Sequence, residues 1–234
     1  ENTGRYNWAL YDVLSAFSFT VFVIPPLHLS KSMGLTRGKN DKIDAKRIVD
    51  FISRHHDQVP VWKQPSTTVR KLKVLLAERR LRVDMKRSLA SVKKDYNLMK
   101  GMDLGASLRK LNADEKKNLD KQIQIIEKKI NELIKSDPDL HKKAKLVMSV
   151  TGVGKVLCWN LLARTEGFSI IDNPRKLACY AGVVPFEHQS GTSVFKKPKV
   201  SYYADKTLKS LLHLGAMSAI RLNNDLKVYY DRKV

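Results

Sequence analysis

Asp41 and Asp44 lie three residues apart in the stretch Lys39-Asn40-Asp41-Lys42-Ile43-Asp44-Ala45-Lys46. On a helix that spacing puts both carboxylates on one side, one turn apart. Two carboxylates so placed can share divalent metal ions. Paired metals can activate a water and stabilise a leaving oxygen in phosphodiester cleavage. Lys39, Lys42 and Lys46 surround them, as expected where a polyanion approaches an acidic centre. A plainer role is also open. Asn40 or Asp41 can cap a helix running through Ile43, Ile48, Val49 and Ile52, with Asp44 favouring the positive end of its dipole.

Three further stretches carry chemistry. Thr151-Gly152-Val153-Gly154-Lys155 falls between two helical patterns, the layout of a helix-hairpin-helix element. There glycines let backbone N–H groups reach a phosphate at a helix N-terminus. The same residues also suit a tight interhelical turn with no ligand. Gln189-Ser190-Gly191 offers a hydroxyl in a polar segment, and by residue type alone it is a turn. Phe195-Lys196-Lys197-Pro198-Lys199 is basic with an aromatic, suited to phosphate and base contacts or to a solvated surface.

The elements that hold these residues follow from periodicity. Tyr6, Leu10, Val13, Leu14 and Phe17 trace a helix. Phe19 to Ile24 is a short β-branched and aromatic run stopped by Pro25-Pro26, which predicts a buried strand. A short helix over about 27–33 and the Asp41 helix, ending near His55, complete an α/β pattern with a parallel edge. Glu1 would stand before the first helix, at the mouth of such a sheet. From Ser66 or Thr67 to Met99 nothing breaks a helix. Gly101 to Asn112 is a turn region, and a second helix covers about 113–135. Met85, Leu89, Val92, Tyr96, Met99 and then Leu119, Ile123, Ile126, Ile130, Leu133 step four and three alternately. Two such seams joined by a loop predict an antiparallel coiled-coil hairpin, either a spacer or a dimerisation arm. Helices over about 140–150, 156–164, 174–182 and 204–220 follow, with Asn173 as a cap, Pro174 at the first helical position and a polar loop over 186–193.

Composition narrows the partners. The 234 residues carry 44 Lys+Arg against 23 Asp+Glu, a net charge of +21 spread along the chain. That balance favours nucleic acid over a ribosome-type structural role or an anionic membrane surface. No apolar run approaches a transmembrane length, and no signal peptide is visible. Cys158 and Cys179 alone exclude a disulfide scaffold and suit a reducing cytosol. Neither they nor the six histidines show zinc-ligand spacing. The chain opens at Glu1, in what reads as mid-domain, so a fragment is expected.

The motifs E-N-T-G-x-Y, K-N-D-K-I-D-A-K-R, T-G-V-G-K and Y-A-G-V-V-P-F-E-H-Q-S-G occur in that order. Together they resemble the DEDD-type insertion-sequence transposases (insertion sequence family one-ten), over nearly the whole chain. The resemblance implies α/β plus α architecture. Residues 1–60 would be a partial RuvC-like, RNase H-like nuclease domain, 61–138 a coiled-coil hairpin, and 139–234 a helical C-terminal transposase domain with a helix-hairpin-helix-like element. Glu1, Asp41 and Asp44 match three of the family's four metal ligands, for Mg²⁺ or Mn²⁺. The fourth would lie upstream, so the chain is expected to be inactive alone. Ser190 matches the family's nucleophilic serine, with Ser193 and Ser201 the alternatives by proximity. Lys39, Lys42, Gly152, Gly154, Lys155, Lys196, Lys197 and Lys199 are the expected nucleic-acid contacts. Where many relatives carry a basic K-R-G-N stretch before the last helix, this chain has Tyr202-Tyr203-Ala204-Asp205.

The resemblance further implies DNA recombination through a phosphoserine link, with Ser190 Oγ attacking a phosphodiester. The implied partners are element ends and target DNA, a non-coding guide RNA, and other copies of the chain in a dimer or tetramer joined through the coiled coil. The implied location is the bacterial cytoplasm and nucleoid, with no membrane. Two other classes compete. A junction-type nuclease would use the carboxylates without the serine. A non-catalytic binding protein would use the carboxylates only as caps.

Overall fold

The structure is a computed structural model that describes residues 7–14, 16–32, 40–92, 95–96, 104–190, 194–222 and 224–233. It is mostly helical and divides into two compact units, Glu1–Pro65 and Ser66–Val234.

The first unit holds α1 (Trp8–Leu14), α2 (Pro26–Ser32) and α3 (Asp41–His55). Ile24 and Leu29 are its most buried apolar residues among those described. The strand expected over Phe19–Ile24 does not form. Instead Phe22 makes one antiparallel bridge with Val61, and Trp62 N–H donates to the Val21 carbonyl at 2.8 Å. Pro25 and Pro60 lie on the same side of this antiparallel bridge and stop the ladder from extending that way. Phe19 is 66% exposed, against the burial expected of it. The Trp62 ring rests on Tyr11 with centroids 4.5 Å apart, tying the segment to α1. α3 starts and stops where the sequence predicts. The Asn40 side chain accepts from Ile43 N–H at 2.8 Å, so Asn40 and not Asp41 is its cap.

In the second unit α4 (Thr67–Ser91) and α5 (Leu104–Lys135) run side by side. Their cross-links descend on one helix as they climb on the other: Arg79 to Glu127 at 2.8 Å, Arg82 to Gln122 at 2.9 Å, and Lys86 to Asp120. That order makes the pair antiparallel. α5 begins nine residues before the predicted start at 113. Gly105 and Asn112 resemble breakers, yet each costs a helix interior only about 1 kcal/mol or less, and packing along α4 outweighs that. Gly101 to Asp103 and the last residues of the first predicted helix, 97–99, lie outside the described residues.

The base of this hairpin is not free. Val69, Leu72 and Leu76 of α4 pack with Ile126, Ile130 and Ile134 of α5, and the same core takes in Leu140, Ala144, Cys158, Trp159, Leu162 and Ala163. These last belong to α6 (Pro138–Met148) and α7 (Lys155–Thr165). Eight of the eleven residues of α7 are buried, so it is the central helix of the unit. Its other side joins Leu157 and Leu161 to Ala181 and Leu208. These come from α8 (Pro174–Ala181) and α9 (Lys206–Leu222); α10 (Asn224–Lys233) follows.

Local signals set the ends of α8. The Asn173 side chain accepts from Arg175 N–H at 2.8 Å, and Gly182 adopts φ +68° at the C-terminus. Between α8 and α9 the expected loop is a β-hairpin, β1 (Phe186–Ser190) with β2 (Val194–Lys199). Its antiparallel pairs are Ser190 with Val194, Gln189 with Phe195, His188 with Lys196, and Phe186 with Lys199. The polar residues hide the alternation, but Phe186, Val194 and Phe195 favour extended backbone. No helix among the described residues is long and apolar enough to cross a membrane.

Candidate active site

Three groups of candidate residues fall on separate local frames. The first is α3. Asp41 is its first residue and Asp44 sits one turn on, so both lie at the N-terminal, positive end of the helix. Because Asn40 makes the cap bond, capping accounts for neither carboxylate. Asp44 is engaged by Arg47 Nη1 at 2.9 Å, an i,i+3 pair about one third exposed on the aspartate side. Lys42 is exposed beside them. Glu1 and Lys39 lie outside the described residues. Among the described residues no three His, Cys, Asp or Glu side chains gather as a metal site. Asp41 and Asp44 do offer hard oxygen donors one turn apart, which suit one edge of a divalent cation's ligand set.

The second frame is the β-hairpin. Ser190 ends β1 in register with Val194, at the turn end of the ladder. Lys196, Lys197 and Lys199 lie on β2, the last two exposed. Ser193 lies outside the described residues, and Ser201 lies beyond β2 in the approach to α9. Cys158 is no competing nucleophile: burial pushes its thiol up to about 11, and it stays protonated near neutrality.

The third frame is the turn between α6 and α7. Gly152 adopts φ +88°, a region that L side chains rarely enter. Gly154 caps α7 with no side-chain hydrogen bond, and a Cβ placed on it would meet open space. Lys155 is exposed at the first position of α7. A cavity of about 440 Å³ opens here, lined by Gly152, Gly154, Lys155, Val156 and Trp159 and, from α9, by Leu211 and Gly215.

One cluster has no sequence signal. Arg164 Nε donates to Asp205 Oδ2, and Arg164 Nη1 to Asn160 Oδ1. Asp205 Oδ1 also caps α9 by accepting from Leu208 N–H at 2.8 Å, while Asp205 N–H donates to the Tyr180 carbonyl at 2.9 Å. This clamp joins α7, α8 and α9 and closes the chain at both feet of the β-hairpin. Burial alone would raise the Asp205 carboxyl, but the Arg164 guanidinium and the N-terminal amides of α9 outweigh it and hold it below the usual range. Burial, then the Asp205 charge, pushes Tyr180 up. A carboxyl depressed in the folded state contributes stability above its unfolded pKa, and that contribution is lost as pH falls through the folded one. Asp205→Asn keeps a good cap but removes the charge. It is expected to cost about 1–2 kcal/mol in urea unfolding near pH 7, with the difference from the native chain shrinking below about pH 4. A cost that does not change with pH would mean that the cap, not the ion pair, carries the clamp.

Comparison with known proteins gives two family matches along the chain. Residues 1–93 match the DEDD transposase model of the IS110 type, and residues 144–231 match the Transposase IS116/IS110/IS902 family. The chain belongs to the IS110-type transposases. The first family match contains Asp41 and Asp44, and the second contains the α6–α7 turn, the β-hairpin and Ser190. Among curated members of similar sequence, the pilin gene-inverting protein of Moraxella bovis is 28% identical over 220 residues, 93% of this chain and 65% of that protein. Its counterpart in Moraxella lacunata matches to the same extent. The putative transposase y4pF/y4sB of Sinorhizobium fredii (strain NBRC 101917 / NGR234) is 25% identical, over 93% of this chain and 59% of that protein. The chain thus spans less than two thirds of the length of these relatives.

Proposed function

We propose that this chain is the greater part of an insertion-sequence transposase that cuts and rejoins DNA through a metal-assisted serine–DNA intermediate, at sites chosen by a non-coding guide RNA. The observation that carries the reading is the pairing of two family matches. The Asp41–Asp44 helix lies inside the DEDD transposase match, and Ser190, at the turn end of a basic β-hairpin, lies inside the second. Two relatives are named for inverting a gene, an outcome that needs every broken strand to be rejoined.

In the proposed step Ser190 Oγ attacks a DNA phosphorus. A P–Oγ bond forms as the serine proton passes to solvent. The bond to the deoxyribose oxygen breaks as that oxygen takes up a proton from solvent and leaves as a hydroxyl. The phosphoserine link conserves the ester, so a second sugar hydroxyl can reverse the reaction on a new strand. Asp41 and Asp44, with further ligands, would hold a divalent cation, which would supply positive charge to stabilise phosphodiester cleavage. An RNase H-like nuclease fold for the first unit and a helix-hairpin-helix role for the α6–α7 turn belong to the same proposal. In it the α7 amides beyond Gly154, with Lys155, hold a DNA phosphate. Lys42, Lys196, Lys197 and Lys199 add backbone contacts, and the net charge of +21 serves both DNA and RNA.

The test is a denaturing gel of full-length protein with Mg²⁺, element ends, target DNA and the adjacent RNA, followed by peptide mass spectrometry of any protein–DNA adduct. The expected adduct maps to Ser190 and disappears in Ser190→Ala. An adduct that survives the substitution moves the nucleophile to Ser193 or Ser201. Nicked DNA with free 3′-hydroxyl and 5′-phosphate ends, and no adduct, identifies a metal-dependent nuclease instead.

A further inference from the structure

The segment that leads from β2 into α9 presents an aromatic ring to solvent in basic surroundings. Tyr202 is 79% exposed, well beyond what a ring used for packing shows, and Tyr203 beside it is 60% exposed. The Tyr203 ring meets Tyr202 edge-on, with centroids 5.8 Å apart and planes at 85°. Lys206 Nζ lies 4.7 Å from the Tyr202 centroid, so a cation holds the ring from one side. The segment is fixed at its α9 end, where Asp205 is bound to Arg164, to the Tyr180 carbonyl and to the first turn of α9. Exposed Lys197 and Lys199 precede the tyrosines, and Lys206 and Lys209 follow them. The single carboxylate of the segment, Asp205, is already neutralised by Arg164. The local field is therefore positive, and the most exposed ring described inside it is that of Tyr202.

A held aromatic ring with lysines on both sides suits a nucleic-acid base that is out of its pair. Every base has a π-face to lay on such a ring, and the neighbouring phosphates need cations. A paired base hides its faces in the stack, so duplex DNA cannot use the ring. An acidic protein segment would use the lysines but not the tyrosine face.

We propose that Tyr202 is a stacking platform for an unpaired base of a DNA strand, with Lys206 setting the ring and Lys197 and Lys199 taking flanking phosphates. The choice of DNA rests on the proposed role of Ser190, which ends the strand paired with that of Lys197 and Lys199. From Ser190 to Phe186, the partner of Lys199, is four residues, about 14 Å of strand. An unpaired strand can extend beyond the duplex rise of about 3.4 Å per nucleotide, so the platform would hold a base a few nucleotides from the attacked phosphate.

The test is fluorescence-anisotropy binding of a labelled oligothymidylate, its abasic counterpart, an oligouridylate and a fully paired duplex to the whole chain. Tyr202→Ala is expected to weaken oligothymidylate binding about tenfold, with the abasic strand and the duplex unchanged. Tyr202→Phe is expected to keep native affinity. The salt dependence should be unaltered in Tyr202→Ala, which removes no charge, and shallower in Lys199→Gln. Native binding by Tyr202→Ala overturns the proposal, as does an equal loss on the duplex or the same defect in Tyr202→Phe. A Tyr202 effect confined to the oligouridylate overturns the assignment to DNA. The outcome is separable from that of the serine reading. A tenfold loss in a protein that never forms an adduct upholds the platform and removes the recombinase. An adduct with native binding in Tyr202→Ala does the reverse.

Discussion

Asp41→Ala and Asp44→Ala are each expected to lower strand transfer by full-length transposase about a thousandfold or more, while changing the stability of the fold by only about 1 kcal/mol. The small second number is what gives the first its meaning. Both residues sit in the first turn of α3, where a carboxylate interacts with the helix dipole and loss of that interaction costs about 0.3–1 kcal/mol. The capping hydrogen bond belongs to Asn40 and survives either substitution. Asp44 also loses its pair with Arg47, a partly exposed i,i+3 contact worth about 0.3–0.5 kcal/mol. Nothing in those figures can stop a reaction by unfolding the protein. A carboxylate that holds catalytic charge in place is different, because removing such a group takes away transition-state stabilisation with no structural substitute. Asn40→Ala is the informative control. It is expected to cost about 1 kcal/mol in helix stability and to leave strand transfer nearly intact. Native transposition by both aspartate variants, with Asn40→Ala the more damaged, would reduce Asp41 and Asp44 to helix-end charges and sink the metal-site reading.

What could be seen in the sequence was whatever depends on near neighbours. The Asn173-Pro174 start and Gly182 stop of α8 are made by residues within one turn of the helix ends, and they stand where the sequence places them. The same holds for α3, from its Asn40 cap to His55. The elements that went astray depend on partners far along the chain. Phe19–Ile24 has the residue types of a strand, but a strand needs a neighbour, and among the described residues it finds only Val61. The 186–199 hairpin was concealed in the other direction. Its glutamate, histidine, glutamine and lysines look like loop residues, and only the pairing across Ser190 and Val194 turns them into strands. The candidate site divides in the same way. Asp41, Asp44, the glycines of the α6–α7 turn and Ser190 stand out by spacing and by resemblance. The Arg164–Asp205 clamp spans 41 positions, and no local pattern announces it. The exposure of Tyr202 is likewise a tertiary fact, since Tyr202-Tyr203 ahead of an amphipathic helix could equally have been packed.

Gly152 and Gly154 look equivalent in Thr151-Gly152-Val153-Gly154-Lys155, yet their alanine variants are expected to differ by about 2 kcal/mol or more in unfolding free energy. Gly152 holds φ +88°, where a Cβ is strained by about 1–3 kcal/mol. A Cβ there would also stand 2.3 Å from the Gly215 carbonyl oxygen and 2.9 Å from the Ala219 Cβ. Two of the three nearest atoms are backbone atoms of α9, so no side-chain rotation relieves the clash, and the helix itself must retreat. Retreat would open the contact of Leu208 with Leu157 and Leu161, a cluster whose side chains are each worth about 1.5–3 kcal/mol when buried. Gly152→Ala is therefore expected to lose about 3–5 kcal/mol in urea denaturation, enough to unfold a marginal domain. Gly154 has φ −87° and open space where its Cβ would go, so Gly154→Ala is expected to stay within about 1 kcal/mol of the native chain. That makes Gly154 the usable probe of function. If the amides at the start of α7 cradle a phosphate, a methyl group at the mouth of that site weakens DNA binding in a protein that remains folded. If Gly154→Ala binds DNA as the native chain does across a salt series, the turn is only a joint. Its glycines would then be present so that α9 can lie against Gly152.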